Sequence, residues 1–499
     1  MNSDYQIYQS LLRKLADVQY SIGVLNWDQE TYMPPKGAAT RAQQISTLSG
    51  IAHSMSTSTE LGSVLDRLEN NSTLTDKEKR NVYQSLRAYR LNQKYPQSFV
   101  EEMSMCVSAT FQAWQKAKQE NDFSSYAPQL EKLVKLKRRE CEIAGYTGHP
   151  YDALLDQFEP GSKTADLTVL FEDVRAQLVD FVKGLAARPQ NNDDFMFLEY
   201  DKTKQWDFGL ELLRQMGYDF GAGRQDLSGH PFTTNFGPSD VRVTTRVSEN
   251  NLNEMIWSCI HEGGHALYEQ GLPEEEYGMP SGEYLSLGIH ESQSRLWENN
   301  VGRGLSYWKC NLPRLKEIFP ENLKNVRPEQ FFKAINKVQP SLIRTNADEL
   351  TYHFHILIRF EIEKALIEGS VEVKDLPELW NSKYREYLGL EVPSDSKGVL
   401  QDIHWSHGSF GYFPTYSLGS FYAAQFYHFA SLEIPGLEME IEKGNLKPLL
   451  SWLRSRVHAF GKLYSAEELC IRISGKKLDF RFFMDYARKK YNALYDLSN

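Results

Sequence analysis

The stretch LNEMIWSCIHEGGHALYEQG, residues 252–271, decides the fold around it and carries the clearest functional signal in the chain. Its apolar and small residues recur with the spacing of one helix face: Leu252, Met255, Ile256, Cys259, Ile260, Gly263, Gly264 and Leu267. Asn250 or Asn251 can cap the start of such a helix, and Gly271 and Pro273 mark its end. The segment therefore predicts a helix with one buried face.

His261 and His265 lie on the opposite side of this predicted helix. Advancing about 100° per residue from Leu252 places the apolar face near ~20° and the two imidazoles near ~180° and ~220°. The pattern H-E-x-x-H puts two imidazoles one helical turn apart, where they can bind one metal ion. Glu262 lies between them in sequence and can act as a base toward a water molecule at that ion. The pattern predicts a metal centre.

A solvent-exposed helix face is the plain alternative for these two histidines. Trp257 and Tyr268 lie on the same side as the histidines, which is unusual for a face that only contacts water. Gly263 and Gly264 each cost about 1 kcal/mol relative to alanine inside a helix, which indicates that another segment approaches closely there. Both observations favour the metal centre.

Two histidines leave a catalytic zinc site incomplete, because such sites usually have three protein ligands and one open position. Glu291, 26 positions after His265, is the preferred third ligand, since it lies away from the apolar face of the next predicted helix. That face is formed by Leu285, Ile289 and Leu296. His290 is the competing ligand, but it projects about 100° around the helix from Glu291. Cys259 is a weaker choice because it falls on the buried face of the first helix.

Most of the remaining sequence also has helical spacing, so we expect a mainly α protein. One exception is residues 232–247, where valine and threonine alternate with polar residues after a turn at 237–239. This pattern predicts a short β-hairpin beside the metal-binding helix. Loops are expected at 33–37, 159–161 and 217–231, which are rich in glycine, proline and polar residues.

Composition and charge argue against several classes of protein. The 499 residues include 56 Lys and Arg against 66 Asp and Glu, and this net charge of −10 disfavours a general nucleic-acid binder. The uncharged stretch 406–432 contains too many polar residues, glycines and a proline for a membrane span. Five scattered cysteines and the lack of a secretory signal lead us to expect a cytoplasmic protein. No repeat or long linker divides residues 1–499, so we expect one domain with two lobes around one cleft.

Five motifs occur in a characteristic order: D-V-R-V-T at 240–244, H-E-G-G-H at 261–265, H-E-S-Q at 290–293, I-R-T-N-A-D-E-L at 343–350 and G-V-L-Q-D-I-H-W at 398–405. On these motifs the chain resembles the M32 family of metallocarboxypeptidases over essentially its whole length. The resemblance implies a mainly α, gluzincin-type fold with a deep active-site cleft, a homodimer, and zinc that cobalt can replace. It implies removal of single residues from peptide C-termini with broad specificity. Carried over by position, the metal ligands are His261, His265 and Glu291, and the general base is Glu262.

Residues 407–416 resemble the H-x-x-x-G-Y-x-x-x-Y block of related oligopeptidases, in which the His and Tyr groups face the substrate carbonyl. Tyr416 and His407 are therefore candidates to stabilise the oxyanion, with Tyr412 behind them. His404 is a candidate substrate contact or a supporting residue. The alternative is that this aromatic-rich stretch serves only packing.

An exopeptidase needs a receptor for the C-terminal carboxylate of its substrate, and a guanidinium group suits that role. Arg344 is the first choice by resemblance. Thr345 could cap a helix that begins near Ala347, which would place Arg344 at the edge of a cleft. The alternative is that Arg344 pairs with Asp348 or Glu349 for structural reasons.

Arg242 is the competing carboxylate receptor, projecting with Asp240 from one face of the predicted hairpin. An edge strand at this hairpin could also bind the substrate backbone by β-addition. His230 is a weaker candidate contact and can instead cap a turn.

These residues together predict a zinc-dependent carboxypeptidase acting on peptides with a free C-terminus. An endo-oligopeptidase would share the same machinery and lack the carboxylate receptor. A non-catalytic, metal-containing peptide-binding protein is the alternative from another class. Glu262 argues against it, because a structural zinc site has four closed ligands and needs no base.

Overall fold

The computed structural model describes residues 3–497, which fold mainly into helices as expected. The described chain divides into two compact units, each built from three separate segments. Unit 1 comprises residues 3–93, 192–335 and 422–478. Unit 2 comprises residues 94–191, 336–421 and 479–497. Within the described residues, no helix combines the length and apolar character needed to cross a membrane.

The α-helices are, in chain order, α1 Ser3–Thr31, α2 Ala38–Ser56, α3 Thr59–Glu69, α4 Asp76–Lys94, α5 Gln97–Glu120, α6 Phe123–Ala144, α7 Asp152–Phe158, α8 Thr164–Ala186, α9 Lys202–Met216, α10 Leu252–Glu269, α11 Leu287–Arg295, α12 Leu305–Ile318, α13 Pro320–Leu323, α14 Pro328–Ile335, α15 Tyr352–Glu368, α16 Leu376–Leu388, α17 Pro414–Glu433, α18 Leu437–Glu442, α19 Lys447–Arg456, α20 Ala466–Ser474 and α21 Arg481–Leu494. The strands are β1 Gly223–Leu227, β2 Thr233–Asn235 and β3 Val241–Thr245. The loops expected at 33–37 and 159–161 are confirmed, the first containing one short 3₁₀ turn.

The three strands form one small sheet in unit 1, in the order β1–β3–β2. Strands β2 and β3 are antiparallel, with Thr234 opposite Arg242, which confirms the predicted hairpin. Strand β1 pairs with β3 in parallel and lies inside the expected loop 217–231, so that expectation is wrong there. The reason is that β1 pairs with β3 and not with the strand that follows it, and the spacing within β1 does not reveal such a pairing. Strand β3 is central, so β1 and β2 are the two edge strands, and β2 packs beside α10.

Helix α10 matches the predicted metal-binding helix closely. Asn251 caps it by accepting a hydrogen bond from the Asn253 backbone N–H at 3.2 Å. All eight residues of the predicted apolar face are buried, and they pack within unit 1.

Helix α11 begins at Leu287, where the Ser286 side chain accepts a hydrogen bond from the Ile289 backbone N–H at 3.2 Å. It then continues as a π-helix over Leu296–Gly302, which the sequence did not predict. A π-helix packs more residues into each turn than an α-helix and often occurs at functional sites.

In unit 2, Arg344 lies in a short 3₁₀ turn, and α15 begins at Tyr352. The expectation of a helix starting near Ala347 with Thr345 as its cap is wrong. The Asp348 carboxylate accepts hydrogen bonds from the backbone N–H groups of Leu350 and Thr351 at 3.0 Å, which holds residues 348–351 in a turn. Aspartate side chains favour such turns over a helix, so α15 begins only after the turn.

Candidate metal centre

Helices α10 and α11 bring three ligand groups together in unit 1. The ligand atoms of His261, His265 and Glu291 all lie within 4.8 Å of one another. Oε2 of Glu291 is 3.6 Å from Nε2 of His261 and 3.3 Å from Nε2 of His265. Two imidazole nitrogens and one carboxylate oxygen form a donor set that a catalytic zinc ion accepts, with one position left for water or substrate. The side chains present therefore fit such an ion.

The hydrogen bonds behind the two imidazoles leave their Nε2 atoms available for a metal. Nδ1 of His261 lies 2.8 Å from Oε2 of Glu298, and Nδ1 of His265 lies 3.1 Å from the backbone oxygen of His290. Both partners are acceptors, so each Nδ1 carries the proton. This places the unprotonated nitrogens of both rings toward Glu291.

Arg295 bonds to both glutamates of this region. Its Nε donates to Oε1 of Glu291 at 2.7 Å, and its Nη1 donates to Oε2 of Glu298 at 3.2 Å. Burial alone would raise the pKa of Glu291, but Arg295, His261 and His265 outweigh it and hold that pKa well below its usual value. Glu291 is therefore ionised, with Oε2 directed toward the histidines.

The two histidines differ in how readily they hold a proton. Burial and the neighbouring His290 lower the pKa of His265 to about 3. Burial also lowers the pKa of His261, but Glu291 and Glu298 overcome this and raise it above its ordinary value. His261 therefore takes up a second proton more readily than His265, and a metal ion competes with that proton for Nε2 of His261.

The two glycines of α10 allow close contact between helices. A Cβ added at Gly264 would lie 2.7 Å from the Cα of Ser294 and 2.8 Å from the backbone oxygen of Gln293, both on α11. A Cβ at Gly263 would instead meet the side chains of Leu213 and Met216 on α9. This confirms the expectation of a close approach and shows why the Glu291 side chain reaches the histidines.

Glu262 is buried beside the ligand cluster, and a residue of the small sheet holds its side chain in place. Thr233, on the edge strand β2, donates from its hydroxyl to Oε2 of Glu262 at 2.7 Å. Burial raises the pKa of Glu262, and the charge of His261 and the Thr233 hydrogen bond oppose that rise. The carboxylate is thus positioned next to the cluster by an element separate from the two ligand helices.

The rejected ligand candidates have other partners. Nε2 of His290 lies 2.8 Å from Oε1 of Glu269, and the ring stacks on His265 with centroids 4.4 Å apart. The thiol of Cys259 is buried on the apolar face of α10, 3.5 Å from the hydroxyl of Thr245. Neither side chain belongs to the ligand cluster.

Arg242 and His230 also lie in unit 1. The Arg242 guanidinium donates to both carboxylate oxygens of Asp240, at 2.8 and 2.7 Å. It is packed between the rings of Trp27 and Phe236, at 4.3 and 4.9 Å from their centroids. His230 is exposed in the loop between β1 and β2, and its carbonyl accepts a hydrogen bond from the Ser228 hydroxyl at 2.6 Å.

Unit 2 brings four of the predicted substrate-contacting residues into one cluster. Nε2 of His404 lies 3.2 Å from the hydroxyl of Tyr416, and the rings of Tyr412 and Tyr416 are 5.3 Å apart. The guanidinium carbon of Arg344 lies 5.0 Å from the Tyr416 ring centroid. Burial lowers the pKa of His404 to about 3 against the opposing charge of Asp402, so this imidazole is neutral.

Arg344 is paired with neither Asp348 nor Glu349. Its Nε donates to Oδ1 of Asp402 and its Nη1 donates to the hydroxyl of Tyr352, both at 3.0 Å. These two contacts fix the plane of the guanidinium group.

The ring contact of His407 is with a different residue from those of the tyrosine cluster. His407 is exposed and packs on the ring of Phe111 in α5, with centroids 5.0 Å apart. The histidine that lies within hydrogen-bonding distance of the Tyr416 hydroxyl is His404.

Sequence reasoning missed the groups that support these clusters: Arg295, Glu298, Glu363 and Asp402. The position of Glu298 carried a usable signal, because a residue seven positions after Glu291 lies on nearly the same side of a helix. Glu363 is fully buried in unit 2 and accepts hydrogen bonds from the Tyr151 hydroxyl at 2.5 Å, Trp405 Nε1 at 2.8 Å and the Gly411 N–H at 2.9 Å. Burial raises the pKa of Glu363 to about 7. Its three partners are distant in sequence and gave no local signal.

Comparison with known proteins places the chain among peptidases. The sequence profile described as Carboxypeptidase Taq (M32) metallopeptidase matches residues 7–491. Thermostable carboxypeptidase 1 of Thermus thermophilus is 41% identical, covering 98% of this chain and 99% of the relative. Carboxypeptidase 1 of Bacillus subtilis is 38% identical, covering 97% of each chain. The crystal structure of an M32 carboxypeptidase from Deinococcus radiodurans R1 is similar with a TM-score of 0.98 at 37% identity, covering 99% of this chain and 100% of the other.

Proposed function

Because the chain belongs to the carboxypeptidase Taq (M32) metallopeptidase family, we propose that it is a zinc-dependent carboxypeptidase that removes single residues from peptide C-termini with broad specificity. The observation that carries this proposal is the convergence of His261, His265 and Glu291 beside a buried Glu262 that is not itself a ligand. The three ligands with one open position are typical of a catalytic centre, whereas a structural centre is closed by four.

His261, His265 and Glu291 would hold the metal, which supplies Lewis acidity at the scissile carbonyl when bound. Glu262 removes a proton from the attacking water and delivers it to the leaving amine. Thr233 supports this role, since its hydrogen bond to Oε2 of Glu262 keeps the carboxylate in one orientation. The burial of Glu262 favours the protonated form that the second transfer requires.

Tyr416 and His407 are proposed to stabilise the oxyanion, with Tyr412 and His404 as substrate contacts. The Tyr416 hydroxyl is preorganised by its contact with the neutral imidazole of His404 at 3.2 Å. A preorganised donor lowers the barrier because it needs no rearrangement as charge develops on the substrate. For His407 the support is the resemblance of residues 407–416 to related oligopeptidases.

Arg344 is proposed as the receptor for the substrate C-terminal carboxylate. Asp402 and Tyr352 hold its guanidinium group in a fixed plane, as paired recognition of a carboxylate requires. Arg242 stays the competing candidate, because its guanidinium group is likewise held in a fixed plane, by two hydrogen bonds to Asp240, and packs against the rings of Trp27 and Phe236. His230 stays a weaker candidate contact.

Product analysis tests the proposal. A peptide with a free C-terminus and its C-terminally amidated form are incubated with the enzyme, with and without a chelator, and the products are identified by mass spectrometry. We expect stepwise loss of single residues from the free peptide only, abolished by the chelator and restored by zinc. Internal cleavage of both peptides would establish an endo-oligopeptidase, and metal binding without any product would establish a non-catalytic peptide-binding protein.

A homodimer and activity with cobalt in place of zinc are proposed on the resemblance. A cytoplasmic location is proposed from the five scattered cysteines. One domain of residues 1–499, with two lobes around one cleft, is proposed from the lack of a long linker and from the resemblance. Light scattering coupled to size-exclusion chromatography measures the oligomeric state, and reconstitution of the metal-free protein with cobalt measures the substitution.

A further inference from the structure

The two histidines of the metal centre are supported by different groups. Behind His261 lies the carboxylate of Glu298, buried and 2.8 Å from Nδ1. Behind His265 lies the neutral backbone carbonyl of His290, at 3.1 Å. A carboxylate makes the imidazole bonded to it a stronger donor on its other nitrogen than a peptide carbonyl does. The two ligands are therefore chemically unequal.

Glu298 is itself held by two arginines. Nη1 of Arg295 donates to its Oε2 at 3.2 Å, and Nη2 of Arg303 donates to its Oε1 at 3.3 Å. Two guanidinium groups therefore face this buried carboxylate, in a place where an unpaired charge would be costly.

Arg303 is fixed in turn by α10. Its guanidinium carbon lies 3.9 Å from the ring centroid of Trp257, and its Nη1 donates to the backbone oxygen of Ile335 at 2.5 Å. Trp257 lies one helical turn before His261, so the contacts close a ring from Trp257 through Arg303 and Glu298 to His261. This explains why an aromatic residue shares the histidine side of α10.

We propose that Glu298 is a positioning residue of the metal centre, which fixes the Nδ1–H tautomer and the orientation of His261 and strengthens its hold on the metal. Arg295 and Arg303 hold Glu298 in place through their hydrogen bonds, and the π-helix Leu296–Gly302 carries Glu298 to the back of the imidazole. The inference rests on the metal centre of the proposed function and adds a residue to it that does not touch the metal.

The test measures metal affinity of the metal-free protein by titration with zinc against a chromophoric chelator, in the absence of any substrate. Glu298→Ala removes the acceptor and Glu298→Gln keeps an acceptor while removing the charge. We expect an affinity loss of about 10- to 100-fold for the alanine variant and a smaller loss for the glutamine variant. The matched control is Glu269→Gln, which alters an equally short carboxylate–imidazole bond on His290, outside the ligand cluster. It should bind zinc within about threefold of the unchanged protein.

A spectroscopic measurement distinguishes positioning from general structural support. The Nδ1–H proton of His261, assigned by its loss in His261→Ala, should resonate far downfield in the unchanged protein. Its downfield shift should be smaller in the Glu298→Gln variant, and the resonance should be absent from the Glu298→Ala variant. Circular dichroism of each metal-free variant checks the fold, and the isosteric glutamine keeps the test valid if the alanine variant unfolds.

Two results would overturn the inference: zinc affinity of Glu298→Gln and Glu298→Ala equal to that of the unchanged protein, or an equal loss in Glu269→Gln. Full zinc binding by His261→Ala is a different result, because it removes the metal centre of the proposed function itself.

Discussion

Replacing Gly264 by alanine should displace the third metal ligand while leaving α10 intact. The added Cβ would lie 2.7 Å from the Cα of Ser294, where ordinary contact begins at 3.4 Å, so α10 and α11 must separate by about 0.7 Å. Glu291 lies on α11, and metal–ligand distances tolerate only about 0.2 Å of error. We therefore expect zinc affinity to fall at least about tenfold, because the ligand atoms no longer converge.

Stability should change less than affinity. Overpacking costs about 1–3 kcal/mol, and exchanging glycine for alanine inside a helix returns about 1 kcal/mol. The net loss in free energy of unfolding is then roughly 0–2 kcal/mol.

Gly263→Ala is the matched control, one residue away in the same helix. Its Cβ would lie 2.7 Å from Cδ2 of Leu213 and 3.0 Å from Cε of Met216, which are ends of flexible side chains. These can move by rotation, so zinc affinity should stay within about threefold of the unchanged protein. The assay is competitive zinc titration with thermal unfolding of each metal-free variant. Equal affinities in the two alanine variants would refute the argument that backbone contact at Gly264 sets the position of Glu291.

Three further changes have defined outcomes. Glu262→Gln should bind zinc normally and lose on the order of 10²- to 10⁴-fold in turnover, because an amide accepts no proton; near-normal turnover would assign the base elsewhere. Arg344→Ala should lose about 1.5–3 kcal/mol of transition-state stabilisation with peptides that have a free C-terminus. Any residual cleavage of amidated peptides should change little. If Arg242→Ala lost the preference for free over amidated C-termini to the same extent, that result would contradict the assignment of Arg344. The pKa of Glu363 is about 7 in the folded protein and 4.5 in the unfolded chain. Between these values the unfolded chain loses its proton first, so the free energy of unfolding falls as pH rises. In Glu363→Gln this fall, on the order of 3 kcal/mol, should be absent from urea unfolding measured between pH 5 and pH 8. An unchanged pH profile would show that Glu363 does not titrate there.

The sequence predicted those features that depend on residues close together in the chain. The period of α10 followed from eight apolar or small positions, and the two glycines correctly indicated a close contact. The β2–β3 hairpin was visible because its strands are adjacent and its turn contains Gly237 and Pro238. Each of these signals lies within about 20 residues, where spacing alone determines which side chains share a face.

Features that depend on distant partners were missed. Strand β1 was assigned to a loop because it pairs with β3 and not with the strand that follows it. The alternative that paired Arg344 with its neighbours missed its partner Asp402, 58 positions away. The π-helix after α11 also escaped prediction, since helical spacing of apolar residues does not distinguish it from an α-helix. Local sequence thus indicated the proposed ligands more clearly than the groups that hold them.

The segmented construction of unit 1 has a consequence for how the protein is made. The imidazole of His458 is hydrogen-bonded to the side chain of Gln293, which lies two residues after Glu291. His458 and Gln293 are 165 positions apart in sequence. At about 5–20 residues per second, a ribosome needs roughly 8–33 s to add that length of chain. All three ligands have therefore been synthesised long before the last segment arrives to support α11. A nascent chain that stops within this interval contains the three proposed ligands, His261, His265 and Glu291, but lacks the hydrogen bond from the last segment to α11.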